Sequence, residues 1–367
     1  MKKIVIDIRM YNSSGIGTYL QNILPFIISS LPNYTFVLLG NESDLNNVNF
    51  NINNITKIKC NSKIYSINEQ IELISKIPKD TDLFWSPHYN VPIMYKGNLL
   101  VTVHDLFHLA MPQFVEGLHK KLYAKLMFAI LSRKAKKIIC VSKFTFNEYK
   151  KYIKGGQDKL ICINNGVNKS WFNIVSKDNL KCSKPYFIYV GNVKPHKNLS
   201  NLIEGFKLVK DKIPHNLVIV GKKEGFITTD KKVFNEAQVL SNRIQFTGYL
   251  EKDLLEQYIK NASALIFPSL YEGFGLPPLE SMACGCPAIV SNSASIPEVC
   301  GNAALYFNPN SPIDISKKLI QFNNDRSLRE SLIIRGKKQA TLYKWEDSAK
   351  KTLSIIKEIL NENSNSN

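Results

Sequence analysis

The sequence predicts an α/β protein built from two doubly wound parallel sheets, and three observations carry that expectation. Short apolar runs of strand length alternate with helical patterns, the order that places helices on both faces of a parallel sheet. The series occurs twice, and a polar stretch near Asn164 to Lys184 separates the two halves. The chain has 367 residues, enough for two domains with substantial cores. The expected boundaries are 1–172 for the first domain, rejoined by a C-terminal helix over 346–367 that crosses back to it, and 173–345 for the second.

In the first half, strands are expected at Ile4 to Ile8, Thr35 to Leu39, Ile55 to Lys59, Asp82 to Trp85, Leu99 to Val103, Lys137 to Val141 and Leu160 to Ile163. After the first strand, Ser14-Gly15-Ile16-Gly17-Thr18 reads as a turn feeding a helix that runs through Leu24 and Ile28. Leu20 stands where the third glycine of a dinucleotide fingerprint belongs, while Glu42 is available as a ribose-binding acid, so a nicotinamide oxidoreductase is an alternative class. The fourth and fifth strands end in SPHYNVP and VHDLFH, which puts His104, Asp105 and His108 at the carboxyl edge where ligands of open sheets bind. Leu118, Leu122, Leu126 and Ile130, with Tyr123, Met127 and Leu131, form a helical apolar stripe that reads first as core.

The second half opens with a strand over Pro185 to Val190, followed by the loop Gly191-Asn192-Val193-Lys194-Pro195-His196-Lys197-Asn198 and a helix through Leu202 and Phe206. Strands at Asn216 to Val220 and Ile244 to Thr247 come next, the latter running into Gly248 and Tyr249. The chain then reads ALIFPSLYEGFGLPPLESMACGCPAIVS from Ala264 to Ser291: strand, loop, helix, strand. Proline is tolerated in a first helical turn, so the helix starts near Pro277 and Pro278, and Gly285 takes the C-terminal cap. Glu272 then lies in the loop and Glu280 in the first turns of the helix. The amides of Gly273, Phe274, Gly275 and Leu276 run into the helix start, a place suited to phosphate oxygens.

Two glutamates with seven residues between them, in PSLYEGFGLPPLESMACGCPAIVS followed by SIPEVCGNAALYFNP, closely resemble the signature of the family-4 retaining glycosyltransferases. The resemblance extends over nearly the whole chain and implies the GT-B fold, two facing Rossmann-like domains. It implies that Glu272 contacts the transferred sugar, Glu280 the ribose of the nucleotide and Lys197 the outer phosphate, and that His104 in VTVHDL reaches the donor sugar from the other domain. It further places Gly15 and Gly17 behind the donor phosphates, and Gly248 with Tyr249 beside the base. Many members carry arginine where this chain has Asn192, so Lys194 or His196 is expected to substitute, or Lys197 and backbone amides to suffice. VGNVKPHKNL and SLYEGFGLPPLE are most similar to mannosyltransferases of bacterial surface polysaccharide, including lipopolysaccharide O-antigen, assembly. GDP-mannose is therefore the first expected donor and a UDP-sugar the second, with a glycan or polyprenyl-diphosphate-linked acceptor. The nucleotide-diphosphate sugar is a co-substrate, and neither a cofactor nor a metal is expected; Asp82 and Asp105 sit on different strands and form no short aspartate motif.

Composition narrows the partners. The net charge is +18, and His119 to Lys154 alone holds eleven Lys or Arg against one acid, Glu148. Such a segment suits an anionic membrane surface, while it lacks a nucleic-acid recognition motif. The seven cysteines form no CxxC pair and read as reduced residues. Asp7 and Arg9 interrupt the N-terminal apolar run too early for a signal peptide, and no run reaches membrane-spanning length. The expected location is cytoplasmic, peripheral on the inner face of the membrane, and NENSNSN is expected to be a disordered tail.

Overall fold

The computed structural model describes residues 1–48, 54–115, 117–176, 184–221, 237 and 240–362. Most of the tail NENSNSN and residues 177–183 of the expected linker lie outside them. Two compact units result, one of Met1–Gly166 with Lys344–Asn367, the other of Val167–Tyr343.

Unit 1 contains β1 (Lys3–Asp7), α1 (Ser14–Ser29), β2 (Thr35–Gly40), α2 (Glu42–Asn46), β3 (Ile55–Lys59), α3 (Ile67–Lys76), β4 (Leu83–Ser86), β5 (Leu99–Val103), α4 (Phe107–Ala110), α5 (Leu118–Lys134), β6 (Lys137–Cys140), α6 (Lys143–Tyr152) and β7 (Leu160–Cys162). The strands form one sheet in the order β3-β2-β1-β4-β5-β6-β7, with every pair parallel. Central strands such as β5 are buried at every residue, which is why they read as unbroken apolar runs, whereas edge strand β3 has only Ile55 and Ile58 half-buried and its other residues exposed.

Unit 2 continues with β8 (Tyr186–Val190), α7 (Leu199–Lys207), β9 (Asn216–Val220), β10 (Ile244–Gly248), α8 (Lys252–Lys260), β11 (Ala264–Phe267), α9 (Leu276–Ala283), β12 (Ala288–Ser291), α10 (Ile296–Cys300), β13 (Ala304–Phe307), α11 (Pro312–Asn324) and α12 (Arg326–Ala340). Its sheet runs β10-β9-β8-β11-β12-β13, again all parallel. Strand β13 has no counterpart in the sequence reading; its four residues alternate between half-buried and buried, the pattern of an edge. The last helix, α13 (Trp345–Glu362), belongs to unit 1 and packs on α1, where Trp345 meets the Tyr19 ring edge-on at 6.1 Å.

Two expectations are corrected. Helix α1 already begins at Ser14, so Gly15 and Gly17 lie in its first turns, not in a preceding turn. Gly17 is required there by proximity, since a Cβ would sit 2.4 Å from the Tyr11 carbonyl oxygen. In α5 the expected stripe is core only in part: Met127 and Leu131 are buried, whereas Leu118, Leu122 and Leu126 are 71%, 57% and 50% exposed. The face turned inward holds Ala124, Met127, Phe128 and Leu131. A helix apolar on two faces gives periodicity no means of choosing the buried one. Among the described residues, no helix is long and apolar enough to cross a membrane.

Candidate functional site

In a doubly wound sheet, the crevice opens at the carboxyl ends of the two strands between which the chain order reverses. In unit 2 those are β8 and β11, since β8 pairs with both β9 and β11. The loops leaving them carry Lys197 and Glu272. Lys197 Nζ lies 2.5 Å from Glu272 Oε1, with both side chains mostly shielded from solvent, so topology brings together two residues 75 positions apart. Backbone bonding holds the loops in place, the Leu270 amide donating to the His196 carbonyl at 2.8 Å.

Asn198, absent from the sequence-derived site, sets the position of Lys197. It closes the Pro195–Lys197 turn and starts α7 in the left-handed conformation, φ +58°. Its buried amide donates to the carbonyls of Pro268 at 3.1 Å and Pro309 at 2.7 Å. Asparagine is the side chain that tolerates this backbone while bonding locally, and its place after the lysine was the available signal. Asn198→Ala adds left-handed strain, orphans the buried Pro268 carbonyl and leaves that of Pro309 to Asn201 Nδ2 at 2.9 Å, so unit 2 should lose roughly 2 to 4 kcal/mol in urea unfolding. Asn198→Gly should fall between, because it relieves strain without restoring the bonds. Equal stability of the alanine variant and the parent would remove Asn198 from this role.

The Glu272 loop is fixed by a second unforeseen residue. Ser295 Oγ lies between the carbonyls of Phe274 at 2.6 Å and Glu272 at 2.9 Å, and its single proton is shared between them. Gly275 caps α9 at φ +118°, where Ile296 would meet any Cβ at 2.8 Å. The Phe274 side chain is buried edge-on against Tyr343, so this residue offers the site its backbone. No protein hydrogen bond among the described residues uses the amides of Phe274, Gly275 or Leu276, leaving donors directed at the N-terminus of α9. Gly285 follows the helix at φ +84°, the expected cap.

Glu280 lies on α9 and is half-buried. Burial first, and the charge of Glu256 second, push its carboxyl up to about 7, with Lys252 opposing. Glu256, on α8, was not anticipated; it pairs with Lys252 at 3.8 Å. Gly248 turns β10 outward at φ +77° with open space around it, and Tyr249 is 66% exposed. Asn192 is exposed after β8 and its carbonyl accepts from Tyr189 Oη at 3.0 Å. Burial, then Lys197 and Lys194, push His196 down to about 3, so the imidazole is neutral near pH 7. Of the two side chains expected to replace the arginine, Lys194 alone brings charge.

In unit 1 the reversal falls between β1 and β4. There Asp7 and Arg9 form a buried two-pronged pair, Nε to Oδ1 at 2.8 Å and Nη2 to Oδ2 at 2.6 Å. Arg9 Nη1 reaches Glu69 Oε1 at 2.7 Å, and His88 Nε2 donates to Asp7 Oδ2 at 3.1 Å. Asn90 bonds to Glu69 and accepts from Tyr123 Oη. Sequence reading used Asp7 and Arg9 only as charges that break an apolar run; their pairing with Glu69 and His88 is long-range. His104 follows β5 and donates from Nε2 to the Pro87 carbonyl at 2.9 Å, leaving Nδ1 as an acceptor. Burial pushes it down to about 4, so it is neutral near pH 7. The Tyr19 ring of α1 packs edge-on against it at 5.0 Å. Gly15 is exposed, with nothing within 4 Å of a Cβ placed on it.

Residues 172–339 match the family described as Glycosyl transferases group 1. Unit 2 is a group 1 glycosyltransferase domain. Lys197, Glu272, Glu280, Gly248 and Asn198 fall inside the matched residues, whereas His104, Gly15 and Gly17 lie outside them. The chain is 28% identical over 290 residues to O-antigen chain mannosyltransferase B of Escherichia coli, covering 75% of this chain and 74% of that protein. To O-antigen chain mannosyltransferase RfbU of Salmonella typhimurium it is 30% identical over 227 residues, covering 62% of this chain and 61%, under two thirds, of the relative. Its fold superposes on sucrose-phosphate synthase of Thermosynechococcus elongatus with a TM-score of 0.80 at 16% identity, over 99% of this chain and 100% of that one. The chain thus has the GT-B fold, in keeping with its two all-parallel sheets. The comparisons return glycosyltransferases and give the nicotinamide alternative no support.

Proposed function

We propose that this glycosyltransferase moves mannose from GDP-mannose, with retention of configuration, to a glycan or polyprenyl-diphosphate-linked acceptor in cell-surface polysaccharide assembly. A UDP-sugar is the second donor candidate. The observation that carries the reading is the Lys197–Glu272 pair beside the open amides of Phe274, Gly275 and Leu276. When the bond between the sugar's anomeric carbon and phosphate breaks, charge grows on the outer phosphate, and Lys197 with those amides offsets it. On the same face, the acceptor oxygen bonds to the anomeric carbon and its proton passes to the departing phosphate oxygen. Glu272 accepts from sugar hydroxyls. The two mannosyltransferase relatives support the choice of sugar. The acceptor is met at the inner face of the cytoplasmic membrane, to which the basic segment 119–154 is drawn, and nucleic acid is not a partner.

A transfer assay with GDP-mannose and UDP-sugars tests this. Activity with GDP-mannose is expected to persist in EDTA, because Lys197 and the helix N-terminus supply the positive potential. Abolition by EDTA with rescue by magnesium or manganese would overturn the phosphate-binding scheme. A second expectation concerns pH. Ribose hydroxyls bond to ionised Glu280, whose carboxyl titrates near 7, so nucleotide binding releases a proton. GDP affinity should rise as pH increases from about 6 to 8, by up to tenfold per unit below that pKa. Glu280→Gln should bind GDP weakly and without this slope, whereas Glu272→Gln, which releases Lys197, should not weaken GDP. Calorimetry showing the same slope in parent and Glu280→Gln would place the titrating group elsewhere.

A further inference from the structure

Helix α5 of unit 1 differs from an ordinary surface helix in carrying apolar side chains on its outward face as well as its inward one. At about 100° per residue, Leu118, Leu122 and Leu126 share one arc, directed away from the buried Ala124, Met127, Phe128 and Leu131. Lys125, Ala129 and Arg133 fall on that same outward face. Toward its C-terminal end opens a cavity of about 510 Å³, into which Lys125 and Arg133 of α5 and Lys154 beyond α6 converge. Leu109, Ala129 and Ile153 give it an apolar lining, and Tyr152 and Ser132 add hydroxyls. Among the described residues no carboxylate lies within ion-pair distance of Lys125, Arg133 or Lys154; the one acid of the segment, Glu148, pairs with Lys151.

A solvated cationic face has no use for three exposed leucines, and nucleic acid would leave them wet. An amphiphile satisfies both parts, with an anionic group among the cations and hydrocarbon against the leucines. We propose that the pocket binds the phosphodiester headgroup of an anionic phospholipid while Leu118, Leu122 and Leu126 enter the acyl boundary of the same leaflet. This rests on the membrane-surface reading given above and assigns it a defined headgroup site on α5.

The test uses the full chain and vesicles of phosphatidylglycerol and phosphatidylcholine in equal parts, with pure phosphatidylcholine for comparison. Sedimentation should show binding to the mixed vesicles only. Arg133→Gln with Lys154→Gln should weaken it by roughly fivefold per charge removed, and more than the control pair Lys207→Gln with Lys338→Gln in unit 2. Leu122→Ser with Leu126→Ser should leave a residual attachment that salt abolishes, and Leu122→Trp should be quenched by brominated acyl chains. Equal losses in both charge pairs would overturn the pocket while the membrane reading stands. Equal binding to both vesicles, or to neither, would overturn both. Protection of the pocket by soluble glycerol phosphate without vesicle binding would show a soluble ligand and overturn the lipid assignment.

Discussion

Lys197→Ala is expected to lower turnover about a hundredfold while changing GDP affinity much less, because the charge it offsets grows toward the transition state. Loss of a charged hydrogen bond costs about 1.5 to 3 kcal/mol, which is roughly ten- to a hundredfold in rate. The Lys197–Glu272 contact at 2.5 Å adds a second consequence. Removing the lysine leaves a shielded carboxylate without its partner, so the variant should also melt earlier. Adding Glu272→Gln should recover that stability and none of the transfer activity. Steady-state kinetics and melting on the parent, the Lys197→Ala and Glu272→Gln single variants and the double variant separate the two effects. Undiminished turnover in Lys197→Ala would remove the residue from the reaction, whatever its effect on melting.

Arg9→Met should produce the largest loss of stability in unit 1. The guanidinium is the cation paired with both Asp7 and Glu69, each fully buried. Breaking a buried pair by deleting one partner costs about 3 to 5 kcal/mol, chiefly through the charge left behind. Burial by itself would raise Asp7, yet the charge and hydrogen bonds of Arg9, aided by His88, hold it well below the ordinary carboxylate range. In the parent, stability from this depressed group is present above the unfolded carboxyl value and lost only in strong acid. In Arg9→Met the sign reverses, because burial now dominates and the protonated acid is the favoured form. The gap between variant and parent should therefore narrow from about pH 7 to pH 5. Urea unfolding at the two pH values measures it. A gap below about 1 kcal/mol, or one independent of pH, would show that the network is not held by Arg9.

The sequence by itself determined the two parallel sheets, because strands buried on both faces must be apolar throughout; β5, β9 and β11 fall at their expected residues. It also marked Lys197 and Glu272 in loops between strand and helix at carboxyl edges, where such chemistry collects, and Glu280 on the helix that follows. Local signals sufficed for Gly248, Gly275 and Gly285, whose left-handed backbones glycine alone accepts without strain. Tertiary structure decided the rest. The pairing of Lys197 with Glu272 and the buried linkage of Asp7, Arg9, Glu69 and His88 depend on strand order, which brings distant loops to one edge and leaves no periodic trace. Asn198 and Ser295 act through carbonyls of other segments, so residue type alone did not single them out. Helix α5 shows the limit most directly. Its leucines repeat at the spacing of a core face, and only packing against the sheet settles that Ala124, Met127, Phe128 and Leu131 turn inward while Leu118, Leu122 and Leu126 meet solvent.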